Sequence, residues 1–376
     1  MSLSLAGSPA RADVSRLAAP TTCLLILVAL IDSQVVGAIT PQIAEGLGAA
    51  KETIAGSVAF YSLAAASVAL GLRWSPRRAR PRAWLPLAAT LFAAASLVCA
   101  AAPGAPIFIT GRAVAGFAGG LISALAIAAL ADASSYERRG RQMSWVAIAY
   151  FLAPVVGVPL GALLTGRYGW RTVFLLSAIA VAAAGVLVRL FPLPSSPEPD
   201  ASDAVESSSG TRPSLWQLAT RSRSTRMGIV SAFFISGGLV GFTTFLGTWL
   251  FEAFGAGTRE VGFVYALAGF TAVAGGALGG WLADRFGKRA VAAYGSAGMG
   301  ALLVLLPTFA WGPALFALIG ATAFAAAIRV APLQALVTEL VATDDRATYV
   351  ALRNGASQLG IASAVAGSGA LYGGYG

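Results

Sequence analysis

Residues 280–289 read Gly280-Trp281-Leu282-Ala283-Asp284-Arg285-Phe286-Gly287-Lys288-Arg289. Asp284, Arg285, Lys288 and Arg289 are crowded between two apolar runs, at about 261–283 and 290–310. Each run approaches the ~20 residues that a helix needs to cross ~30 Å of hydrocarbon. Outward from this loop the same alternation recurs, with further apolar runs at about 20–40, 55–73, 83–102, 106–131, 143–165, 172–191, 228–250, 313–336 and 348–371. A transmembrane barrel would instead show weakly alternating strands of about ten residues. The pattern predicts an all-α polytopic membrane protein with about 11 spans.

Composition agrees and removes other classes. Of 376 residues, 57% are hydrophobic and 11% charged, whereas a soluble domain carries about a quarter charged residues. Histidine is absent, which excludes imidazole metal ligands, a Ser-His-Asp triad and a histidine proton relay. Cys23 and Cys99 both lie inside apolar runs, so neither a disulfide framework nor a thiolate metal site is expected. The net charge of +10 is spread over the loops and forms no basic stripe on a soluble module, so nucleic acid is not an expected partner. No cofactor or metal is expected, and the bilayer is the solvent.

Loop charge sets the expected orientation. Counting from a cytoplasmic N-terminus, the inner segments hold Arg11, Arg16, Arg73, Arg77, Arg78, Arg80, Arg82, Arg138, Arg139, Arg141, Arg285, Lys288, Arg289, Arg346 and Arg353, with a long loop bounded by Arg189 and Arg226. The outer loops hold Lys51, Arg167, Arg171 and Arg259. Roughly 20 basic residues inside against about 4 outside fix a multi-pass topology with the N-terminus in the cytoplasm. Residues 1–19 form a tail with no apolar segment carrying its own cleavage site, so the first run is expected to remain as span 1. Residues 192–226 open on a Pro- and Ser-rich acidic stretch that cannot bury apolar surface and reads as a cytoplasmic linker. It separates a six-helix unit, 20–191, from a five-span unit, 227–376.

The loop at 280–289 is similar to the G-x-L-A-D-R-x-G-[RK]-[RK] loop of the major facilitator superfamily, and lies between spans 8 and 9, where that family has its second copy. The resemblance covers essentially the whole chain. It implies the major facilitator fold, two pseudo-symmetric helical bundles with about 11 spans seen of an expected 12, and a monomer. Gly280 is expected to allow close helix approach, with Gly275 and Gly279 as a small-residue face in span 8. Asp284 could meet the positive end of a helix dipole. The family makes that helix span 5 and the contact a latch between bundles, with Gly287 in its loop; the alternative is that Arg285, Lys288 and Arg289 serve topology alone. The first-half copy is degraded: Gly71 survives, but Ser75 replaces the Asp and Arg78 the second Gly.

Two further stretches carry the resemblance. Gly111-Arg112-Ala113-Val114-Ala115-Gly116 in span 4 resembles the arginine motif of proton-coupled facilitators. In span 5, Ala153-Pro154-Val155-Val156-Gly157-Val158-Pro159-Leu160-Gly161 looks like the antiporter motif, with Ala153 and Val158 substituted. With Gly169-Trp170-Arg171-x-x-Phe174 it is similar to the bacterial drug:proton antiporter and arabinose-efflux branch. Pro154, Gly157, Pro159 and Gly161 can kink the helix and admit a close partner, with freed carbonyls satisfied by neighbours; ordinary helix packing explains the same residues.

Asp32 is the carboxylate placed well inside an apolar span. A mid-helix Asp costs about 2.5–3.5 kcal/mol on insertion scales and should face a cavity or a partner. At ~1.5 Å per residue it lies roughly 18 Å from the inner surface, and Arg112 at roughly 21 Å. An Asp32–Arg112 contact is therefore geometrically plausible, either as a proton-coupling pair or as a satisfied structural pair. Loss of water disfavours the charged carboxylate and a neighbouring arginine favours it, so a cycle that joins and separates them could move a proton. Arg329, in a stretch resembling the same branch, is either a contact to an anionic or polar substrate, a gate, or a residue snorkelling to the inner surface. Gln34, about 200° around the helix from Asp32, ranks below it as a substrate contact. Tyr61, Phe233 and Trp249 could be substrate walls or packing.

The reading that follows is a secondary active transporter in the bacterial inner membrane, with proton-coupled efflux of a small molecule (drug, sugar or metabolite) by alternating access. No phosphate-binding loop is present, so an ion gradient is the expected energy source, and protons and a small-molecule substrate are the expected partners. Alternatives are uptake or uniport of a metabolite, or a non-transporting facilitator serving as sensor or scaffold. No nucleophile–base constellation supports an enzyme. The chain stops at Leu371-Tyr372-Gly373-Gly374-Tyr375-Gly376, where the family pattern has one more helix.

Overall fold

The computed structural model describes residues 9–71, 81–132, 146, 148–150, 152–192, 217, 220–338, 340–341 and 345–375. Ser75 and Arg78 of the degraded loop and most of the expected linker lie outside them. The described chain is helical: α1 (Pro9–Leu47), α2 (Lys51–Gly71), α3 (Pro81–Ala101), α4 (Ala105–Asp132), α5 (Val158–Tyr168, entered through a π-turn at Ala153–Gly157), α6 (Trp170–Leu190), α7 (Arg223–Phe254), α8 (Thr258–Phe286), α9 (Lys288–Leu305), α10 (Pro313–Ile328), α11 (Val330–Thr338) and α12 (Arg346–Tyr375). By length and composition, ten stretches can cross a membrane.

Four differences from the sequence reading have physical causes. The tail expected over 1–19 is helical over its described residues 9–19, where alanine, arginine and leucine, all good helix formers, predominate. Span 10 is two helices that break at Arg329. Pro332 offers no N–H to the Ile328 carbonyl, and its ring crowds that position. In span 5, Pro154 and Pro159 each remove an N–H from the ladder, and the backbone takes up a π-turn between them. The eleventh span, α12, is 30 residues long but is not among the ten apolar enough to cross. Its glycines and serines explain both facts: it lies packed between α7 and α2, where small residues admit close backbones. A methyl on Gly360 would meet the Phe233 carbonyl oxygen at 2.0 Å, and one on Gly355 would meet Leu70 at 2.8 Å.

The helices form two bundles, α1–α6 and α7–α12, with matching contacts across the seam: α2 on α12, α5 on α8, and α1 on α7. We call the end where α1 begins the near end, and the end where it turns at Gly48 the far end. At the far end one apolar cluster joins both bundles, through Ile39 and Ile43 of α1, Ile54 of α2, Leu246 and Leu250 of α7, Val261 and Val264 of α8, and Val365 of α12. Toward the near end each bundle has its own cluster, a large one around Phe92, Ile122 and Leu130 and a small one at Val341 and Tyr349. On the α5–α8 seam, Val155 and Ala162 pack against Gly269 and Gly262, whereas nearer that end Gly275 and Gly279 turn to α10.

Candidate functional site

Asp32 and Arg112 meet. Glycines pack each of their helices closely against other neighbours: in span 5, a methyl at Gly157 would lie 2.4 Å from Ile31 and one at Gly161 would lie 2.1 Å from Val35, both within one turn of Asp32 on α1. On α4, Gly111 lies against Cys99 of α3, and Gly116 against the Tyr61 backbone of α2. Held by these neighbours, α1 and α4 place Arg112 Nη1 to donate to Asp32 Oδ2. Both residues have 0% of their surface exposed.

Each charge removed from water carries a penalty of several kcal/mol, and direct contact is what offsets it. The contact is incomplete in one respect. Asp32 Oδ1 and Arg112 Nε and Nη2 are buried and have no hydrogen-bond partner among the described residues. Aromatic faces cover the guanidinium instead: its carbon lies 4.7 Å from the centre of the Tyr61 ring and 5.8 Å from that of Phe174. Sequence reasoning left Tyr61 among undecided aromatics and used Phe174 as a family marker only. Helical spacing cannot show that α2 and α6 bring them to one cation.

The other anticipated residues are placed as follows. Arg329 is 4% exposed, sits in the break between α10 and α11 and donates Nε–H to the Ala326 carbonyl at 3.2 Å. Gly295 of α9 faces its Cβ, so the side chain is held inside the second bundle and does not snorkel. Gln34 is half-buried and, unlike Asp32, has no polar partner among the described residues. Pro154 lies in the first half of the π-turn and Pro159 just past its end, and Gly157 and Gly161 form the α1 contact already given.

At the loop, Gly287 adopts φ 87°, a left-handed value suited to glycine, and ends α8 so that Lys288 can start α9. Gly280 does not perform the close approach expected of it: a methyl there would meet nothing within 4 Å. Successive helical residues point about 100° apart, and it is Gly279 and Gly275 that face α10, against the Ile328 and Phe324 carbonyl oxygens at 2.3 and 2.6 Å. Asp284 is exposed and has no partner among the described residues; most of the expected start of span 5 lies outside them. Arg285 stacks on Trp281 and Phe286. Asp284, Lys288, Arg289 and Leu336 line an open recess of about 590 Å³.

Comparison with known proteins supplies the family. A multidrug resistance protein B homolog of Mycobacterium tuberculosis (strain CDC 1551 / Oshkosh) is 35% identical over 182 residues, 46% of this chain and 34% of the relative. Multidrug resistance protein MdtL of Klebsiella pneumoniae (strain 342) is 32% identical over 162 residues, 43% of this chain and 39% of the relative. The matched part is thus little more than a third of each relative's length. Among solved structures, a D-xylose–proton symporter superposes with a TM-score of 0.74 at 18% identity, covering 94% of this chain and 89% of that one. A bacterial homolog of the human lysosomal transporter Spinster gives 0.68 at 18% identity, covering 98% and 83%. Both likenesses establish the fold. The model of the Major Facilitator Superfamily matches residues 22–365, and with two helical bundles, the first of which encloses a buried ion pair, the chain belongs to that superfamily of transporters.

Proposed function

We propose that the chain is a proton-coupled exporter of a small molecule, working by alternating access in the bacterial cytoplasmic membrane with its N-terminus in the cytoplasm. The observation that carries this reading is the Asp32–Arg112 pair, a carboxylate and a guanidinium buried together at mid-helix with one carboxylate oxygen unbonded. Ionisable groups at such depth are expensive and mark ion pathways. A proton arriving on Asp32 weakens its attraction for Arg112, and its departure restores it. If the two bundle arrangements differ in how tightly they hold the pair, the proton gradient drives one toward the other.

Efflux rather than uptake is favoured by the two relatives named for multidrug resistance. The basic bias of the alternate loops supports the orientation. Arg329, buried at a helix break in the second bundle, is assigned the polar-substrate or gating contact, and Gln34 a lesser one. Asp284 is assigned the latch to span 5 in the arrangement closed at the near end, with Gly280, Arg285, Gly287, Lys288 and Arg289 as its loop. In inside-out vesicles with fluorescent drugs supplied in the medium, an imposed proton gradient should drive accumulation in the wild type. Asp32→Asn should abolish the gradient-driven part and leave downhill flux. Unchanged gradient-driven accumulation in Asp32→Asn would sink the proposal, and accumulation driven only by a gradient of opposite sign would make the protein an importer.

A further inference from the structure

The unbonded atoms of the buried pair are the starting point. Arg112 Nε and Nη2 lie in the protein interior without an acceptor among the described residues, an arrangement that costs free energy unless something else faces them. What faces the guanidinium is π surface: Tyr61 from α2 and Phe174 from α6. Neither ring arrives there incidentally. Gly116 and Gly119 of α4 leave the space that Tyr61 occupies, for a methyl at either would lie 2.2–2.4 Å from Tyr61 atoms. Phe174 is fully buried and braced edge-on by Phe108 and Trp170 at 5.3 and 6.1 Å.

We propose that Tyr61 and Phe174 form an aromatic seat that holds the Arg112 cation while Asp32 is protonated, and so set the pH at which the carboxyl takes up its proton. The inference rests on the reading of Asp32 as a proton carrier. The proton adds to Oδ1, the oxygen that no donor occupies. Arg112 keeps its charge throughout and gives up only the attraction of the carboxylate. In the deprotonated state the ring faces see a compact ion pair, whose positive and negative ends act on the ring quadrupoles in opposite senses. After protonation they see an uncompensated cation, and cation–π attraction is largest for a desolvated cation. The rings therefore stabilise the protonated state more than the deprotonated one. Tyr61 and Phe174 are positioning residues, acting through Arg112.

The surroundings leave little else to play this part. The titratable groups acting on Arg112 are Asp32 itself, Cys99 of α3 and Tyr61, and Tyr150 lies beyond Tyr61. The elements packed on α1 from the other sides bring Gly157 and Thr244 to it, neither of which titrates.

The test is a pH titration of the purified, reconstituted protein by infrared difference spectroscopy, following the carbonyl band of a protonated carboxyl that is present in the wild type and missing in Asp32→Asn. Tyr61→Leu and Phe174→Leu should each move the midpoint of that band to lower pH, by about one unit. Tyr61→Phe, which keeps the ring face, should restore the wild-type midpoint. Midpoints that stay in place or rise in both leucine variants would overturn the seat, as would a Tyr61→Phe midpoint as low as that of Tyr61→Leu. Should one leucine variant fail to fold, the other carries the same test. A wild-type band that titrates without any proton-driven flux would refute the proposed function alone, and the midpoint comparison would still decide the seat.

Discussion

Two ion pairs, both lysine or arginine with a carboxylate, occupy opposite settings in this molecule. Asp32–Arg112 joins α1 to α4 inside the first bundle, with side chains 0% and 1% exposed. Lys51–Glu252 joins α2 of the first bundle to α7 of the second at the far end, at 2.5 Å and with side chains 29% and 36% exposed. The rim pair is well supplied with partners: the Tyr372 hydroxyl of α12 donates to the other Glu252 oxygen, and Lys51 lies 5.0 Å from the centre of the Phe251 ring. The buried pair is under-supplied, with bare atoms on both members. Water explains the reversal. At the rim, solvent serves any atom left over and weakens any bond made, so the pair can be complete and still contribute little. In the interior nothing replaces a lost partner, so an incomplete pair dominates its surroundings.

Removing one member of each pair should expose that difference most plainly. Arg112→Leu strands a buried carboxylate, and breaking a buried pair in this way costs about 3–5 kcal/mol. Thermal unfolding in detergent should show the variant well below the wild type. The double variant Asp32→Asn with Arg112→Leu, which leaves no unmatched charge, should recover much of that loss. Equal losses in the single and double variants would mean that Arg112 matters as packing and not as a counter-charge.

Much of this contrast was legible in the sequence, and the illegible part has a common cause. The helices follow from apolar runs of membrane-crossing length; Asp32 stands out because charge is costly at that depth, and Arg112 because its stretch resembles the family's arginine motif. Their agreement in depth came from counting residues along each helix. What one-dimensional spacing cannot supply is rotation about the helix axis relative to a neighbour. Gly279 and Gly280 are adjacent and chemically identical, yet one packs against α10 and the other faces open space. Tyr61 is one aromatic among many until α2 and α4 are placed together. The break at Arg329 was implicit in Pro332, whereas the hydropathy of the stretch reads straight through it. α12 is the converse case, a helix whose low hydropathy reflects the glycines that let α7 and α2 pack closely against it.

A smaller effect is expected from the wall that seals the buried pair. Gly161→Leu forces a side chain into Val35, which a single methyl would already reach at 2.1 Å, and overpacking of this kind costs about 1–3 kcal/mol. Because Val35 lies one turn beyond Asp32 on α1, the strain should also part α1 from α5 and admit water to the pair. Faster modification of Cys99 by a small thiol reagent would report that opening, and an unchanged rate would show that the seal does not depend on this contact. Gly300→Leu is the matched control, since a side chain there enters open space.

The rim pair should yield the smallest response and a different kind. Glu252→Gln removes the charge but leaves an oxygen for Tyr372, and exposed pairs are worth about 0.2–1 kcal/mol. Overall stability should barely move. The effect should appear where the pair sits, between bundles, as a shift of no more than about fivefold in the population closed at the far end, read from the distance between spin labels on α2 and α7. Salt provides the sharper criterion. At about 1 M ionic strength the Debye length falls to ~3 Å, so the wild type should approach the Glu252→Gln distribution while Arg112-dependent stability stays as it was. If salt instead weakened both pairs alike, water would have to reach Asp32, and the distinction between a sealed pair and a rim pair would fail.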